Sequence, residues 1–304
     1  MSQTAVAAEL DLTKLLAGAQ LPALPQSAIQ LLELSNDERN GPTQFAVPIE
    51  ADPGLAGQVL KFVNSAYFGF AREISSVKLA ITLVGMRTIK NFTLWSAVFS
   101  LMPNPKCGMF DLRSLWQDSL RRALFARSFA RMLGMREAEE PFAAALLQDM
   151  AVPLLARELS AEYAELLADR QQGKLRLSQL ERERFGWTHA HAAAQMARQW
   201  NLPEEFATLI ERHTELDTLL SGENVPPGDL AVALSSLLPA ASDDTWCEVG
   251  QFDVCYQRFC PVGGPRAVEF LRTIDAEFVA FAPVLKITAP AQSLEMRYAD
   301  TVTS

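Results

Sequence analysis

Apolar residues along this chain recur three and four positions apart, whereas strict alternation of apolar and polar residues is almost absent. That spacing predicts amphipathic helices, so the predicted fold class is all-α, a multi-helix bundle. The clearest signal begins at Asp52 and Pro53, because aspartate caps helix N-termini and proline suits the first turn. Leu55, Val59 and Val63 follow at helical spacing. We therefore expect a helix to begin at Pro53.

The same criteria predict helices along most of the chain. They cover residues 27–34, 43–51, 53–63, 77–83, 86–101, 112–133, 141–155, 162–171, 179–185, 189–200, 203–213, 229–238 and 266–281. Pro48 is expected to kink its helix, and Pro153 to interrupt another. The helix over 112–133 is expected to present an arginine-rich face to solvent. Residues 36–42 and 246–264 are predicted to be irregular.

Two proline-containing segments suggest internal boundaries. Pro103, Pro105 and Gly108 form a candidate linker between two helical subdomains, and Pro226 with Pro227 marks a second boundary. No internal repeat or low-complexity tract is present. The sequence therefore predicts two helical subdomains followed by a further helical segment.

Charge and cysteine usage favour a cytoplasmic protein. Charged residues interrupt every long apolar stretch, and residues 1–16 lack the basic and apolar blocks of a secretory signal. Four cysteines are too few for a disulfide framework in 304 residues, which fits a reducing compartment. Cys247, Cys255 and Cys260 cluster without a C-x-x-C turn, so buried free thiols are favoured over a metal site.

The net charge of −9 argues against broad nucleic-acid binding, because the phosphate backbone would be repelled. Residues 51–132 nevertheless contain eleven basic and four acidic residues, a local charge of +7. This part of the chain either carries a surface for an anion or an acidic partner, or simply has solvated helix faces.

Catalytic motifs of the common kinds are absent from the sequence. There is no phosphate-binding glycine loop and no G-x-S-x-G nucleophile elbow. The three histidines are His189, His191 and His213, so a histidine-rich centre would have to use the second half of the chain.

A series of ordered motifs closely resembles the HDOD domain of bacterial signalling proteins. The matching motifs are LPALP at 21–25, DPGL at 52–55, NSAYFG at 64–69, ISSV at 74–77, AI at 80–81, LVG at 83–85, LW at 115–116, ALLQDM at 145–150, Glu181, FG at 185–186, His189, and WNLP at 200–203 with His213. The resemblance implies an HDOD domain over 18–215, with subdomains over 18–105 and 109–215. Residues 1–17 would be an N-terminal extension and 216–304 a C-terminal helical extension.

HDOD domains are relatives of HD-superfamily phosphohydrolases, so the second half is expected to be HD-like. The resemblance implies metal ligands at an early His, a His-Asp pair and a late Asp. The corresponding positions here are Asp118, Gln148, Asp149 and Ser236. Only Asp149 matches the superfamily pattern, and glutamine and serine are weak ligands. We therefore expect a degenerate metal site, no cofactor and no enzymatic activity.

The histidines are interpreted as structural. His189 is expected to begin a helix or to lie as a satisfied imidazole in the core, and His213 to end a helix, where the helix dipole favours positive charge. His191 follows His189 by two residues and therefore lies on another face, so the two do not form an i, i+4 chelate.

An aromatic loop is the other candidate for function. It is accompanied by basic residues, and the proposed surface comprises Lys61, Tyr67, Phe68, Phe70, Arg72, Arg87 and Lys90. Such a surface suits a planar anionic ligand or an acidic partner helix. The alternative is that the loop packs between the two subdomains and fixes their angle.

Two function classes remain open on sequence grounds. The first is a noncatalytic signal-transduction module that binds a signalling protein or a small anion and responds by repacking its subdomains. Its C-terminal segment could supply a partner or homodimer surface. The second is a residual metal-dependent phosphohydrolase acting on a nucleotide or cyclic dinucleotide. It would use Asp118, Asp149 and a recruited histidine to hold Mg²⁺ or Mn²⁺.

Overall fold

The computed structural model describes residues 10–19, 21–35, 37, 39–222 and 224–302. Within these ranges the regular elements are helices and there is no strand, which confirms the predicted all-α class. Residues 1–9 of the predicted N-terminal extension and residues 36 and 38 of the predicted loop lie outside the described residues. No helix in the described ranges has the length and apolar character required to cross a bilayer.

The helices run in chain order as follows. They are α1 (Leu12–Gly18), α2 (Gln26–Ser35), α3 (Pro42–Glu50), α4 (Pro53–Val63), α5 (Val77–Val84), α6 (Met86–Leu101), α7 (Leu112–Met132), α8 (Glu139–Leu147), α9 (Val152–Glu158), α10 (Ser160–Asp169), α11 (Leu177–Phe185), α12 (His189–Gln199), α13 (Glu204–Arg212), α14 (Leu216–Leu220), α15 (Pro227–Ser235), α16 (Val249–Phe259), α17 (Ala267–Phe281) and α18 (Leu294–Val302), with a 3-10 turn at Ala282–Leu285 between α17 and α18.

Local capping explains several of the predicted boundaries. The Asp52 side chain accepts a hydrogen bond from Leu55 N at the start of α4, and Ser76 does the same for Leu79 N at the start of α5. Gly85 separates α5 from α6 with φ of 92°, a left-handed conformation that glycine adopts without steric cost.

Three sequence predictions about helices are wrong. Residues 246–264 are not irregular, because α16 forms there and buries Phe252, Cys255 and Tyr256. The break within 141–155 falls in the turn at 148–151, and Pro153 lies in the first turn of α9 instead of interrupting a helix. The short helices α1, α14 and α18 were not predicted, since each offers too little periodicity to recognise.

The arginines of α7 also contradict the expectation of a solvent-facing arginine surface. Arg121 and Arg127 are 2% and 3% exposed, and the Arg122 side chain is 14% exposed. They are buried because α7 lies at the centre of the bundle, where α8, α15 and α17 all pack against it. Arg121, Arg122 and Arg127 therefore face other helices, whereas Arg113 and Arg131 of the same helix are exposed to water.

The C-terminal segment shares its core with α7. Phe270 of α17 makes edge-to-face contacts with Phe125 and Phe129 of α7, at centroid distances of 5.3 and 6.1 Å. Gln117 Nε2 donates to the carbonyl of Thr288 at 2.8 Å, and Arg121 donates to the carbonyl of Gln292. Helix α17 and the segment that contains Thr288 and Gln292 are thus packed onto the helix that occupies the centre of the fold.

We expect Phe270→Ala to lower the free energy of unfolding by about 3–5 kcal/mol, because it removes a buried aromatic side chain from this shared core. The matched control is Val279→Ala on the same helix, where the side chain is 66% exposed, and it should change stability by less than about 0.5 kcal/mol. Urea denaturation followed by circular dichroism gives both values. Equal effects from the two substitutions would show that α17 does not share a core with α7.

Candidate functional site

A cavity of about 150 Å³ opens at the middle of α7, and we refer to it as the polar cavity. Its lining comes from α7, from the turn after α8, and from residues next to the ends of α12, α13 and α15. Among the lining residues are Asp118, Arg122, Gln148, Asp149, His189, His213, Thr214 and Ser236. The four positions Asp118, Gln148, Asp149 and Ser236 do come together in one place. Their role as a degenerate metal site stays a prediction.

Asp149 is the centre of a cluster that includes Arg122, His189 and His213, which we call the Asp149 cluster. Arg122 Nη1 donates to Asp149 Oδ2. On the other carboxylate oxygen, Oδ1 lies 3.2 Å from His189 Nε2 and 3.6 Å from His213 Nε2. The two Nε2 atoms are 3.2 Å apart. One buried carboxylate therefore meets a guanidinium on one side and two imidazoles on the other.

Both imidazoles are oriented by hydrogen bonds from their other nitrogen. His189 Nδ1 donates to Glu181 Oε2 at 2.6 Å, and that oxygen also accepts from His189 N at 2.8 Å. Glu181 is itself held by the hydroxyl of Tyr163, which donates to Oε1 at 2.6 Å. His213 Nδ1 donates to the carbonyl of Ile210 at 2.6 Å. Each ring consequently turns its Nε2 toward Asp149.

The charges of the cluster are coupled. Burial alone would raise the pKa of Asp149, but the Arg122 charge and the hydrogen bond from His189 hold it well below its ordinary value. Burial lowers the pKa of His189, yet the charges of Glu181 and Asp149 and the bonds they accept raise it to about 9. Burial lowers the pKa of His213, and because its Nδ1 donates to the Ile210 carbonyl, its Nε2 is the acceptor for His189 Nε2 at 3.2 Å. A protonated His189 then links Glu181 to Asp149.

The donor atoms of the cluster also fit a metal ion. Asp149, His189 and His213 each offer one ligand atom, and these atoms are 3.2–3.6 Å apart. Metal–nitrogen bonds of about 2.0–2.1 Å in a tetrahedral site imply ligand separations of roughly 3.3 Å. Two imidazoles and one carboxylate suit Zn²⁺ or Fe²⁺ better than Mg²⁺. The guanidinium of Arg122 contacts the same carboxylate, and its positive charge would repel a metal ion.

The other positions implied by the resemblance have different partners. Asp118 Oδ1 accepts from Ala241 N at 2.7 Å, and Ser236 Oγ accepts from Arg176 at 2.8 Å. Gln148 Oε1 accepts from Ser235 Oγ at 3.4 Å. None of the three belongs to the three-ligand group identified among the described residues.

Sequence reasoning missed the convergence of His189 and His213 on Asp149. His189 does begin α12 and is buried, as expected, but its contact with a carboxylate forty residues earlier has no local signature. Arg122 and Glu181 were also missed as site residues. The only available signal was the Glu181 and His189 pair within the motifs that resemble the HDOD domain.

Several buried polar atoms at the polar cavity lack a partner within the described part of the chain. They are Gln148 Nε2, Arg122 Nε, Arg170 Nε and Thr214 Oγ1. Three of the four are N–H groups and the fourth is a hydroxyl that can donate. Because buried donors without acceptors are costly, this cavity is suited to a ligand rich in acceptor atoms.

The aromatic loop lines a second cavity, of about 250 Å³. Tyr67, Phe68 and Phe70 face it, and Tyr67 contacts Phe281 of α17 at a centroid distance of 4.9 Å. The loop thus packs against the second half of the chain, as the alternative interpretation expected. The basic residues Lys61, Arg72, Arg87 and Lys90 are not among those that line this cavity. Their role in ligand or partner binding stays a prediction.

The basic residues of that proposed surface have separate environments. Arg87 Nη1 lies 3.4 Å from Glu137 in an exposed ion pair. Lys90 is half-buried, and burial lowers its pKa. Lys61 and Arg72 are exposed. The aromatic and basic members therefore do not line one common cavity.

Comparison with known proteins gives matches at the level of family and fold. The HDOD domain family model matches residues 21–216. An uncharacterized protein of Treponema pallidum (strain Nichols) is 25% identical over 212 residues, covering 64% of this chain and 38% of that protein. The chain spans less than half the length of the curated relatives it matches.

Two solved structures are similar over most of this chain. A protein of Marinobacter aquaeolei VT8, provisionally named a signal transduction protein, has a TM-score of 0.66 at 20% identity, covering 89% of this chain and 61% of its own. A protein of Shewanella amazonensis SB2B, provisionally named a phosphohydrolase, has a TM-score of 0.61 at 21% identity, covering 95% and 97%. At these identities the likeness establishes the fold.

We expect Asp118→Asn to stabilise the protein above pH 7. Burial raises the pKa of Asp118 to about 6 even though Arg122, Ala241 N and Arg121 favour its charged form. A carboxyl whose pKa is higher in the folded state loses stability as pH rises from about 4 through 6. The amide keeps an acceptor for Ala241 N, so the gain at pH 8 should reach up to about 3 kcal/mol.

Urea denaturation at pH 8 and pH 4.5 tests this expectation. At pH 4.5 the difference from wild type should fall to about 1 kcal/mol or less, since most of the Asp118 carboxyl is then protonated in the folded state. Asp118→Ala is the control, because it removes both the charge and the acceptor for Ala241 N. A loss of stability in Asp118→Asn that is the same at both pH values would contradict the assignment.

Proposed function

Because this chain belongs to the HDOD domain family, we propose that it is a noncatalytic regulatory module whose polar cavity binds a small anion. The observation that carries the proposal is the buried pairing of Arg122 with Asp149. A cation supplied by the chain itself occupies one face of the carboxylate on which a hydrolytic metal centre would depend.

The electrostatics of this pairing disfavour a hydrolytic metal. A divalent ion on Asp149 Oδ1 would face the guanidinium of Arg122 across a single carboxylate group, in a buried site where water screens charges poorly. Two other positions implied by the resemblance would contribute little to metal binding. Gln148 is neutral, and the hydroxyl of Ser236 accepts a hydrogen bond from Arg176.

The unpartnered donors support an anionic ligand. Gln148 Nε2, Arg122 Nε and Arg170 Nε all lie at the same cavity without acceptors, which is the arrangement that phosphate oxygens satisfy. A volume of about 150 Å³ suits a small phosphate-bearing group better than a whole dinucleotide. We therefore take the ligand class to be a phosphate or pyrophosphate group, free or as part of a metabolite.

Ligand binding would act through helix packing. The polar cavity is lined from α7, α12, α13 and α15, whose contacts also form the core. A ligand that binds one packing arrangement more tightly shifts the population toward it. A signalling protein would then bind the changed helix surface. We place the present protein in the cytoplasm. The name of the Marinobacter aquaeolei structure is consistent with such a role.

The second candidate is a metal-dependent phosphohydrolase, favoured by the three converging ligand atoms of Asp149, His189 and His213. A divalent ion held by these residues would supply Lewis-acid activation of water. In this chain His189 and His213 are already oriented by Glu181 and the Ile210 carbonyl. The unpartnered N–H of Gln148 and of Arg170 would bind the substrate phosphate.

Binding of inorganic pyrophosphate tests the first candidate. We expect Gln148→Leu to weaken binding about tenfold, because one hydrogen bond to a charged oxygen is lost while side-chain volume is nearly kept. Gln179→Leu, at an exposed position of α11, is the control and should bind as wild type does. Isothermal titration calorimetry provides the constants. No binding to wild type at 10 mM, or equal binding to both variants, would refute the anion site.

Metal content and turnover separate the two candidates. After incubation with Zn²⁺ or Mn²⁺ and desalting, we expect wild type to retain less than about 0.1 ion per chain and to leave bis(p-nitrophenyl) phosphate intact, because the Arg122 charge repels the ion. Arg122→Gln should retain more metal than wild type. His213→Ala in that background should abolish the gain, since it removes one ligand.

The opposite pattern identifies the hydrolase. One ion per wild-type chain, with turnover that is lost in both His213→Ala and Asp149→Asn, would establish the second candidate and overturn the first. Elemental analysis by mass spectrometry and a colorimetric assay provide the two readouts.

A further inference from the structure

The cavity beside the aromatic loop, which we call the aromatic cavity, lies where the first helices meet α7, α8 and α17. Most of its lining is aromatic or aliphatic. Among the lining residues are Phe62, Phe92, Trp95, Arg127, Phe142 and Phe281. The rings of Phe62 and Phe92 stack on each other at 4.2 Å with an interplanar angle of 3°, so the outer face of each ring is what is left to form a flat wall. Such walls suit a flat aromatic molecule.

Two buried donors at this cavity lack partners within the described residues. They are Trp95 Nε1, on a side chain 5% exposed, and Arg127 Nε, on a side chain 3% exposed. An indole N–H can only donate, and so can a guanidinium N–H. Buried donors of this kind are normally satisfied, so the pair points to an acceptor supplied by something outside the chain.

Arg127 is held firmly in the cavity wall. Its guanidinium lies 5.0 Å from the centroid of the Tyr67 ring and 4.7 Å from that of Phe142. Arg127 Nη2 donates to Glu277 at 3.1 Å, which leaves Nε for another acceptor. The guanidinium is thus fixed before any ligand arrives, and little conformational entropy would be lost on binding.

The charged groups that line the cavity are paired, but Arg127 Nε has no acceptor among the described residues. The charged lining consists of Arg127, Arg131 and Glu139. Glu139 is paired with Arg131 at 3.2 Å. Arg127 is likewise paired, with Glu277 at 3.1 Å, so a carboxylate of a ligand would approach it at Nε, assisted by the neutral donor of Trp95.

An entrance exists on the side of the aromatic loop. Phe70 and Leu83 line the cavity and are 38% and 46% exposed. Tyr67 and Phe68 are half-buried behind them. A ligand could enter past exposed side chains without opening the packed core around α7.

We propose that the aromatic cavity binds a flat aromatic carboxylate of one or two fused rings. The ring lies among the aromatic walls, and the carboxylate accepts from Trp95 Nε1 and Arg127 Nε. A volume of about 250 Å³ is large enough, because cavities of about 150 Å³ already hold benzene. This site is separate from the polar cavity and does not depend on the function proposed for it.

Occupancy of the aromatic cavity would affect how the two halves of the chain pack. Tyr67 and Phe68 come from the loop after α4, whereas Arg127, Phe142 and Phe281 come from α7, α8 and the end of α17. A ligand between them contacts both halves at once. Binding of a small aromatic acid at this site would therefore change how the two subdomains pack against each other.

Calorimetric titration with 2-naphthoate tests the proposal. Wild type is expected to bind it at least tenfold more tightly than 2-naphthalenemethanol, which has the same rings without the carboxylate. Trp95→Phe should weaken 2-naphthoate binding about threefold to tenfold, the size of one hydrogen bond. Saturating pyrophosphate should leave the affinity unchanged, which separates this cavity from the polar cavity.

A pair of matched substitutions tests whether 2-naphthoate binds in the aromatic cavity. Thr88→Phe adds a ring inside the cavity and should abolish binding, while Thr82→Phe, at an exposed position of α5, should bind as wild type does. Circular dichroism melting checks that both variants fold. Equal affinity in the two variants, equal affinity for the acid and the alcohol, or no binding to wild type at 5 mM would overturn the proposal.

Discussion

The ion pair between Arg122 and Asp149 is the interaction on which the candidate site depends. Both side chains are largely withdrawn from water, so each charge is tolerable only beside the other. Asp149 is kept ionised by this contact, and its Oδ1 lies next to His189 Nε2, the nitrogen that also faces His213 Nε2. Glu181 and Tyr163 complete the chain of hydrogen bonds behind His189.

The residues of this network come from several helices rather than from one. Arg122 comes from the middle of α7, Asp149 from the turn after α8, and the two histidines from the start of α12 and the end of α13. Asp118, one turn before Arg122, reaches the backbone of Ala241 beyond α15. Because these groups are fixed by packing, a ligand at the polar cavity can change other parts of the protein only by altering the contacts between helices.

The sequence predicted local features well and distant contacts poorly. Helix periodicity and capping were sufficient for α4 and α5, where Asp52 and Ser76 act through neighbours three residues away. Asp118, Gln148, Asp149 and Ser236, the positions implied by the resemblance, line one cavity, while their role as a degenerate metal site stays a prediction. The burial of Arg121 and Arg127 could not be predicted, since an arginine-rich helix face normally indicates solvent. The histidine contacts with Asp149 span at least forty residues of sequence, and no spacing rule covers such a distance.

The central claim is that Arg122, rather than a metal ion, neutralises Asp149. The most direct measurement is a crystal structure grown in excess Mn²⁺, with an anomalous difference map collected at the manganese edge. The account predicts continuous density between the guanidinium and Asp149 and no anomalous peak among Asp149, His189 and His213. A strong peak bonded to those three residues, with Arg122 turned away from the carboxylate, would contradict it.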